Sequence, residues 1–209
     1  MKTTNLFFDY ILIGAVWVIS FLIPIGLVDY QLLLSIFQSD LLSSAASISV
    51  VTVAVYVIGV LLDQFANRAL DVFEKPFKIS AISLGKKAFK KETGVSYYEA
   101  LQSVVIYSQR AYEYLSYRRS IIRITRSLFT SSVVILPFVV VVSVITYINK
   151  GLSKEFTLDV IFLSVLLIVV AFLRVEIVKL HSGYYNALKN FYVVTEKENK
   201  KRRLPNDED

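Results

Sequence analysis

The sequence predicts an all-α polytopic membrane protein. It has four transmembrane helices in a two-plus-two layout, a helical stalk bundle in the cytosol, and both termini on the cytosolic side. Three observations carry this reading. The 209 residues are 55% hydrophobic with a mean hydropathy of +0.57, whereas a soluble domain is about 45–50% apolar. The excess is gathered into blocks, as a bilayer requires. Lys and Arg crowd one side of these blocks and are nearly absent from the other. Finally, residues 96–127, just before the third block, carry apolar and aromatic residues at helical steps without a Gly or Pro.

The elements follow in order. The first unit, 1–66, holds two spans. Span one covers about 10–28, with Asp9 at its start, Trp17 well inside, and Pro24 and Gly26 near its far end. A Pro there is tolerable where neighbouring helices cover the freed backbone. Lys2 and the apolar run that follows have the outline of a signal peptide. No small-x-small cleavage site closes the run, and it reads as a retained span. Residues 29–44 contain neither Lys nor Arg, and their apolar part, 30–37, is too short to cross; it is expected along the outer interface. Span two covers about 45–62, and Asp63, Gln64, Asn67 and Arg68 continue its register into the cytosol.

The basic insert, 67–127, comes next. Its first part, 74–94, interleaves Phe77, Ile79, Ile82, Leu84 and Phe89 with Lys78, Lys86, Lys87, Lys90 and Lys91. Such a segment can lie in the headgroup layer of an anionic leaflet, each Lys contributing about 1 kcal/mol; the plainer reading is a solvated loop and short helix. Its second part, 96–127, has no stop signal, so one helix is expected from Ser96 to Ile148. Residues 128–173 form the second membrane unit, with spans at about 128–148 and 158–173 and Pro137 inside the first of them. Residues 174–195 repeat the stalk pattern with Ile177, Leu180, Tyr184, Leu188 and Phe191. The tail, 196–209, is charged and reads as disordered.

Orientation comes from counting. Twelve Lys and Arg lie in the insert and eight after span four, against two in the links on the opposite side. The positive-inside rule therefore places the insert and both termini in the cytosol of a cytoplasmic (inner) membrane protein.

Candidate functional residues divide into three sets. Arg119, Arg123 and Arg126 share one helix face and approach the bilayer, where they either reach phosphates or pair with acids. Together with Lys86, Lys87, Lys90 and Lys91 they form the expected lipid or phosphate contact. Asp63, Arg126 and Arg174 are the interfacial ion-pair candidates, with Asp63 bridging to one of the two arginines. Ser49, Thr52, Tyr56, Gly59 and Asp63 make a small or polar seam on span two, suited to close helix packing or to lining a pore between copies.

Catalytic signals are not found. The sequence has no cysteine, so disulfides and thiolate chemistry are excluded. The single histidine, His181, lacks companion metal ligands. The glycines form no phosphate loop or nucleophile elbow. No cofactor is expected, and the chain reads as non-enzymatic. The spans carry no charged residue near their centres, which weighs against coupled transport and proton conduction.

Two stretches carry a resemblance: 56–63, YVIGVLLD, and 114–127, YLSYRRSIIRITRS. Together they resemble small prokaryotic four-span proteins with a basic cytosolic insert, some of which are similar to membrane effectors of antiphage defence. The resemblance implies a cytosolic trigger and membrane damage, and it supplies no catalytic residue. The layout is also similar to stator-type proton channel subunits, but the intramembrane acid of that class is missing. The expected function is thus that of an oligomerising, membrane-perturbing or pore-forming effector. Its expected partners are anionic lipids, further copies of itself and a cytosolic protein, rather than nucleic acid. The alternative is a constitutive scaffold or accessory subunit; a small channel or a lipid-modifying enzyme comes third.

Overall fold

The computed structural model describes residues 3–29, 31, 34–35, 45–73, 87 and 89–203. Five helices account for nearly all of them: α1 (Thr3–Val28), α2 (Ala45–Phe73), α3 (Tyr97–Tyr107), α4 (Gln109–Lys150) and α5 (Lys154–Arg203). No strand occurs among the described residues. Four of the helices are long and apolar enough to cross a membrane, through Leu6–Gly26, Ser47–Leu70, Gln109–Lys150 and Lys154–Lys197. Large apolar side chains such as Val53, Phe138, Ile148, Ile168 and Phe172 face outward along them. A water-soluble chain does not tolerate apolar surface on this scale.

Helices α4 and α5 form one long antiparallel hairpin. Apart from Tyr185, the buried residues of α5 are Asp159, Leu166, Val170, Leu173, Ile177, Tyr184, Leu188 and Thr195. Their steps of three, four and seven are a heptad seam. On α4, Leu115, Ile122 and Phe129 stand a heptad apart, and Thr125, Ser132 and Val139 form a second row. The seam runs through three successive cores, one in the stalk around Leu115 and Leu188, one around Phe129 and Leu173, and one in the spans around Val139 and Leu166. At the turn, Gly151 adopts φ 64°, a left-handed conformation that only glycine enters freely. Its N–H donates to Tyr147 O, and Ser153 Oγ accepts from Phe156 N–H to start α5.

Helices α1 and α2 meet differently. Gly14 and Gly59 lie at their closest approach, where a Cβ on Gly59 would sit 1.8 Å from Tyr10 O and one on Gly14 1.9 Å from Val55 O. Two helices running side by side in opposite senses through these contacts would bring Trp17 opposite Thr52 and Phe7 opposite Leu62. Instead Trp17 meets Phe65 edge-on and Phe7 packs on Tyr56. The contacts around the glycines therefore depart from the register of a simple antiparallel pair, and the two backbones touch there.

A correction concerns the insert. The single helix expected from Ser96 to Ile148 is broken at Ser108, whose φ of −145° and ψ of 99° are extended. Ser108 N–H closes α3 on Val104 O, and its Oγ accepts from Ala111 N–H to open α4. A serine can end one helix and cap the next because its side chain replaces the missing backbone partner. Ser96 starts α3 with a full capping box to Glu99. Glu99 carboxyl is accordingly held below its usual range by the Ser96 backbone N–H. α3 then folds against the stalk rather than extending α4, so the part of α4 before Leu128 is about 28 Å long.

Candidate functional site

The charged residues converge where the stalk meets the spans. Arg123 lies on the face of α4 toward α1, and its Nη2 reaches Asp9 Oδ2 at 2.6 Å, with Ser120 Oγ donating to the same oxygen at 2.6 Å. The guanidinium also lies over the Tyr10 ring, 5.5 Å from its centroid. Less than one turn on, Arg126 faces α2. It donates to Asp63 Oδ1 at 2.5 Å and to Asn67 Oδ1 at 2.8 Å. All four charged side chains are only 12–13% exposed. Charge-assisted bonds of this length, shielded from water, are the strong ones. The belt thus clamps α1 and α2 to one helix, α4, at a single level.

Just past the belt, Ser127, Thr130, Ser131 and Ser132 are buried in succession. Small side chains here allow the close approach of α1, whose Ile13 and Trp17 are also buried. Ser127 Oγ, Thr130 Oγ1 and Trp17 Nε1 have no hydrogen-bond partner among the described residues, which makes this a polar layer wrapped in apolar helices.

On the stalk side, Arg119 Nη2 donates to both Tyr97 Oη and Tyr184 Oη at 3.1 Å, and these two hydroxyls lie 3.0 Å apart. Tyr97 also packs edge-on to Tyr185. Burial, and then the hydrogen bond to Tyr184, push the Tyr97 hydroxyl up to about 12. Burial does the same to Tyr185, also about 12. This knot fastens α3 to α4 and α5. Phe89, 3% exposed, and the Glu92–Lys189 ion pair fasten the residues before α3 to the same bundle. A groove of about 840 Å³ lies beside the belt, between Phe8 and Asp9 of α1 and Tyr112, Glu113, Tyr117 and Ile121 of α4.

The three candidate sets fare differently. Of the ion-pair candidates, Arg126 holds Asp63, while Arg174, half-buried, has no salt bridge among the described residues. Arg123 and Arg126 take the acid-pairing alternative, and Arg119 bonds to two tyrosine hydroxyls. Phe89 likewise turns into the stalk core rather than toward headgroups. Lys87, Lys90 and Lys91 are exposed, and Lys86 lies outside the described residues, as do Phe77, Ile79, Ile82 and Leu84. On span two, Ser49 is exposed and Thr52 Oγ1 donates to Ile48 O within its own helix, whereas Tyr56, Gly59 and Asp63 all pack inside the chain.

His181 Nδ1 lies 2.9 Å from Ile177 O, one turn back on α5. No group of three His, Cys, Asp or Glu able to hold a metal occurs among the described residues. Two features were not singled out from sequence: the Asp9–Arg123 clamp and the burial of Asp159. The first was detectable as two opposite charges at equal depth. The second was visible as an acid on the heptad seam. No family model, curated protein or solved structure matches this chain.

Proposed function

We propose that this chain is a non-enzymatic protein of the cytoplasmic membrane in which a cytosolic stalk controls a membrane-embedded helical bundle. The carrying observation is the α4/α5 hairpin, whose seam continues at heptad steps through three successive cores from the stalk to the spans. A change in the stalk has no loop in which to dissipate before it reaches the spans. The arginine clamps distribute it to α1 and α2 at the membrane boundary.

In this reading the stalk, the N-terminal end of α1 and the C-terminal end of α5 lie in the cytosol, by the positive-inside rule. The α4/α5 turn, with only Lys150 and Lys154 nearby, lies outside. The exposed Lys87, Lys90 and Lys91 face anionic headgroups or a cytosolic partner. The output is membrane perturbation by assembled copies, as in a triggered effector. Expression under an inducible promoter with a potential-sensitive dye tests it: stalk triggering should depolarise cells, and unchanged potential under every condition rejects it.

A second reading, a constitutive scaffold, is favoured by the tyrosines Tyr98 and Tyr117, which remain exposed on the stalk surface and suit a docked protein. It predicts partner capture without any change in potential.

A further inference from the structure

Asp159 is the least accommodated group in the second hairpin. It stands on the seam of α5, 3% exposed, and its Oδ2 has no hydrogen-bond partner. It forms no salt bridge among the described residues. The two acids at the other end of the spans are treated differently, since Asp9 and Asp63 each hold an arginine. The hairpin register places Asp159 opposite α4 residues 143–147, because Tyr147 stacks on Phe156 at 5.2 Å and Val139 shares a core with Leu166. There Ser143 is buried too, but its hydroxyl donates to Val139 O in its own helix at 2.9 Å.

The charged and titratable groups at this end are few. From α4 they are Tyr147 and Lys150, both exposed; from α5 they are Lys154 and Glu155. Lys150 is engaged with Glu155 at 3.6 Å, and both point into solvent. Among the described residues no cation pairs with Asp159. A carboxylate oxygen without a partner in an apolar seam is costly to hold ionised, and a protonated one occupies the same space at less cost.

We propose that Asp159 is a proton-binding site at the outward end of the α4/α5 hairpin. The reaction is a simple protonation: one proton from the outer aqueous phase adds to the carboxylate, and nothing else is exchanged. With the proton bound, the seam closes over the neutral acid. With the proton released, the carboxylate moves toward water and the lysines of the turn, and the outer end of the hairpin loosens. The packing of the spans therefore reads the pH outside the membrane. The side named rests on the orientation given above; the site itself does not.

Hydrophobic carbodiimides modify protonated carboxyls in apolar surroundings, so dicyclohexylcarbodiimide is the probe. Full-length protein in native membranes is treated across a pH series, and the peptide holding Asp159 is read by mass spectrometry. The expected result is an adduct on Asp159 that is strong in acid and falls as the pH is raised. D159N should abolish it. An unlabelled Asp159 at every pH, or labelling that does not vary with pH, overturns the proposal. Protection by sodium at constant pH overturns it in favour of a metal-ion site. A second measurement reads the packing. The sequence has no cysteine, so Tyr147→Cys with Phe156→Cys gives a clean cross-linking pair. Its yield should drop on alkalinisation with Asp159 present and stay level with D159N. An identical pH response in both backgrounds overturns the coupling. Membranes energised with either polarity of pH gradient identify the side from which the proton arrives, separately from whether the site exists.

Discussion

The two halves of this membrane bundle hold together by opposite means. The α4/α5 hairpin spreads its packing along a heptad seam, so that no single residue dominates. The α1/α2 pair is built around a close backbone contact at Gly14 and Gly59, flanked by Phe7–Tyr56 and Trp17–Phe65, and is tied to α4 by two arginines. A distributed interface loses stability gradually when residues are changed; a backbone-to-backbone contact has no room for even one added methyl. The contrast shows that a long apolar helix by itself does not determine how a membrane bundle is assembled. What decides is where small residues and charges fall along it.

The sharpest way to break the comparison is at the glycine contact. Gly59→Ala places a methyl 1.8 Å from the Tyr10 carbonyl, and backbone cannot move aside cheaply. A loss of about 3 kcal/mol, the upper end for overpacking, is expected, seen as a lowered unfolding midpoint in detergent. Next in size is the clamp. Asp63→Asn leaves Arg126 buried without its counter-charge, at a cost of about 3 kcal/mol. Exchanging the pair, Asp63→Arg with Arg126→Asp, should recover part of it. In the distributed seam, Leu188→Ala, fully buried in the stalk core, should cost about 2–3 kcal/mol while leaving the spans folded. Proteolysis of the stalk against protection of the spans would resolve this.

A smaller effect concerns alkali. Tyr97 ionises at about 12 in the folded stalk against 10.0 for a free tyrosine. Because the folded value is the higher, its contribution to stability is complete below pH 10 and disappears as the pH rises through about 12. Ultraviolet titration should show Tyr97 and Tyr185 ionising together with loss of stalk helicity, and Tyr97→Phe should remove part of that step. The smallest effect sharpens the contrast with Gly59. At Gly183 of α5, a Cβ meets only the mobile end of Arg118 at 2.6 Å. Gly183→Ala should therefore be neutral or stabilise by up to about 1 kcal/mol through helix propensity.

Much of this architecture is legible in the chain. The apolar blocks, the stalk pattern of Ile177, Tyr184 and Leu188, and the choice of Asp63 as an arginine's partner all follow from spacing and charge. The close contact of α1 and α2 does not, because Gly14 and Gly59 each read as an ordinary small residue. Only their meeting in space gives them a role. The break at Ser108 was hidden for a different reason. Apolar periodicity continues through it, and one hydroxyl suffices to end a helix and start another. Phe89 was ambiguous among its lysines, since a helical turn presents one side chain inward and the rest outward wherever the inner surface happens to be. Asp159 lies at the end of a span, where an acid reads as solvated by its depth; its burial follows from the side of the helix on which it stands.

The tyrosine knot also bears on how the chain is made. Tyr97 and Tyr184 are 87 residues apart, and Arg119 binds them together. While the polypeptide is still being synthesised, the contact of α1 and α2 can form as soon as Phe73 has emerged. The stalk must wait for nearly the whole of α5. Until then α3 and the face of α4 it covers are without their final neighbour. A chaperone, a nascent partner chain or a second ribosome's product would find that face open for the whole of this interval, and for no longer.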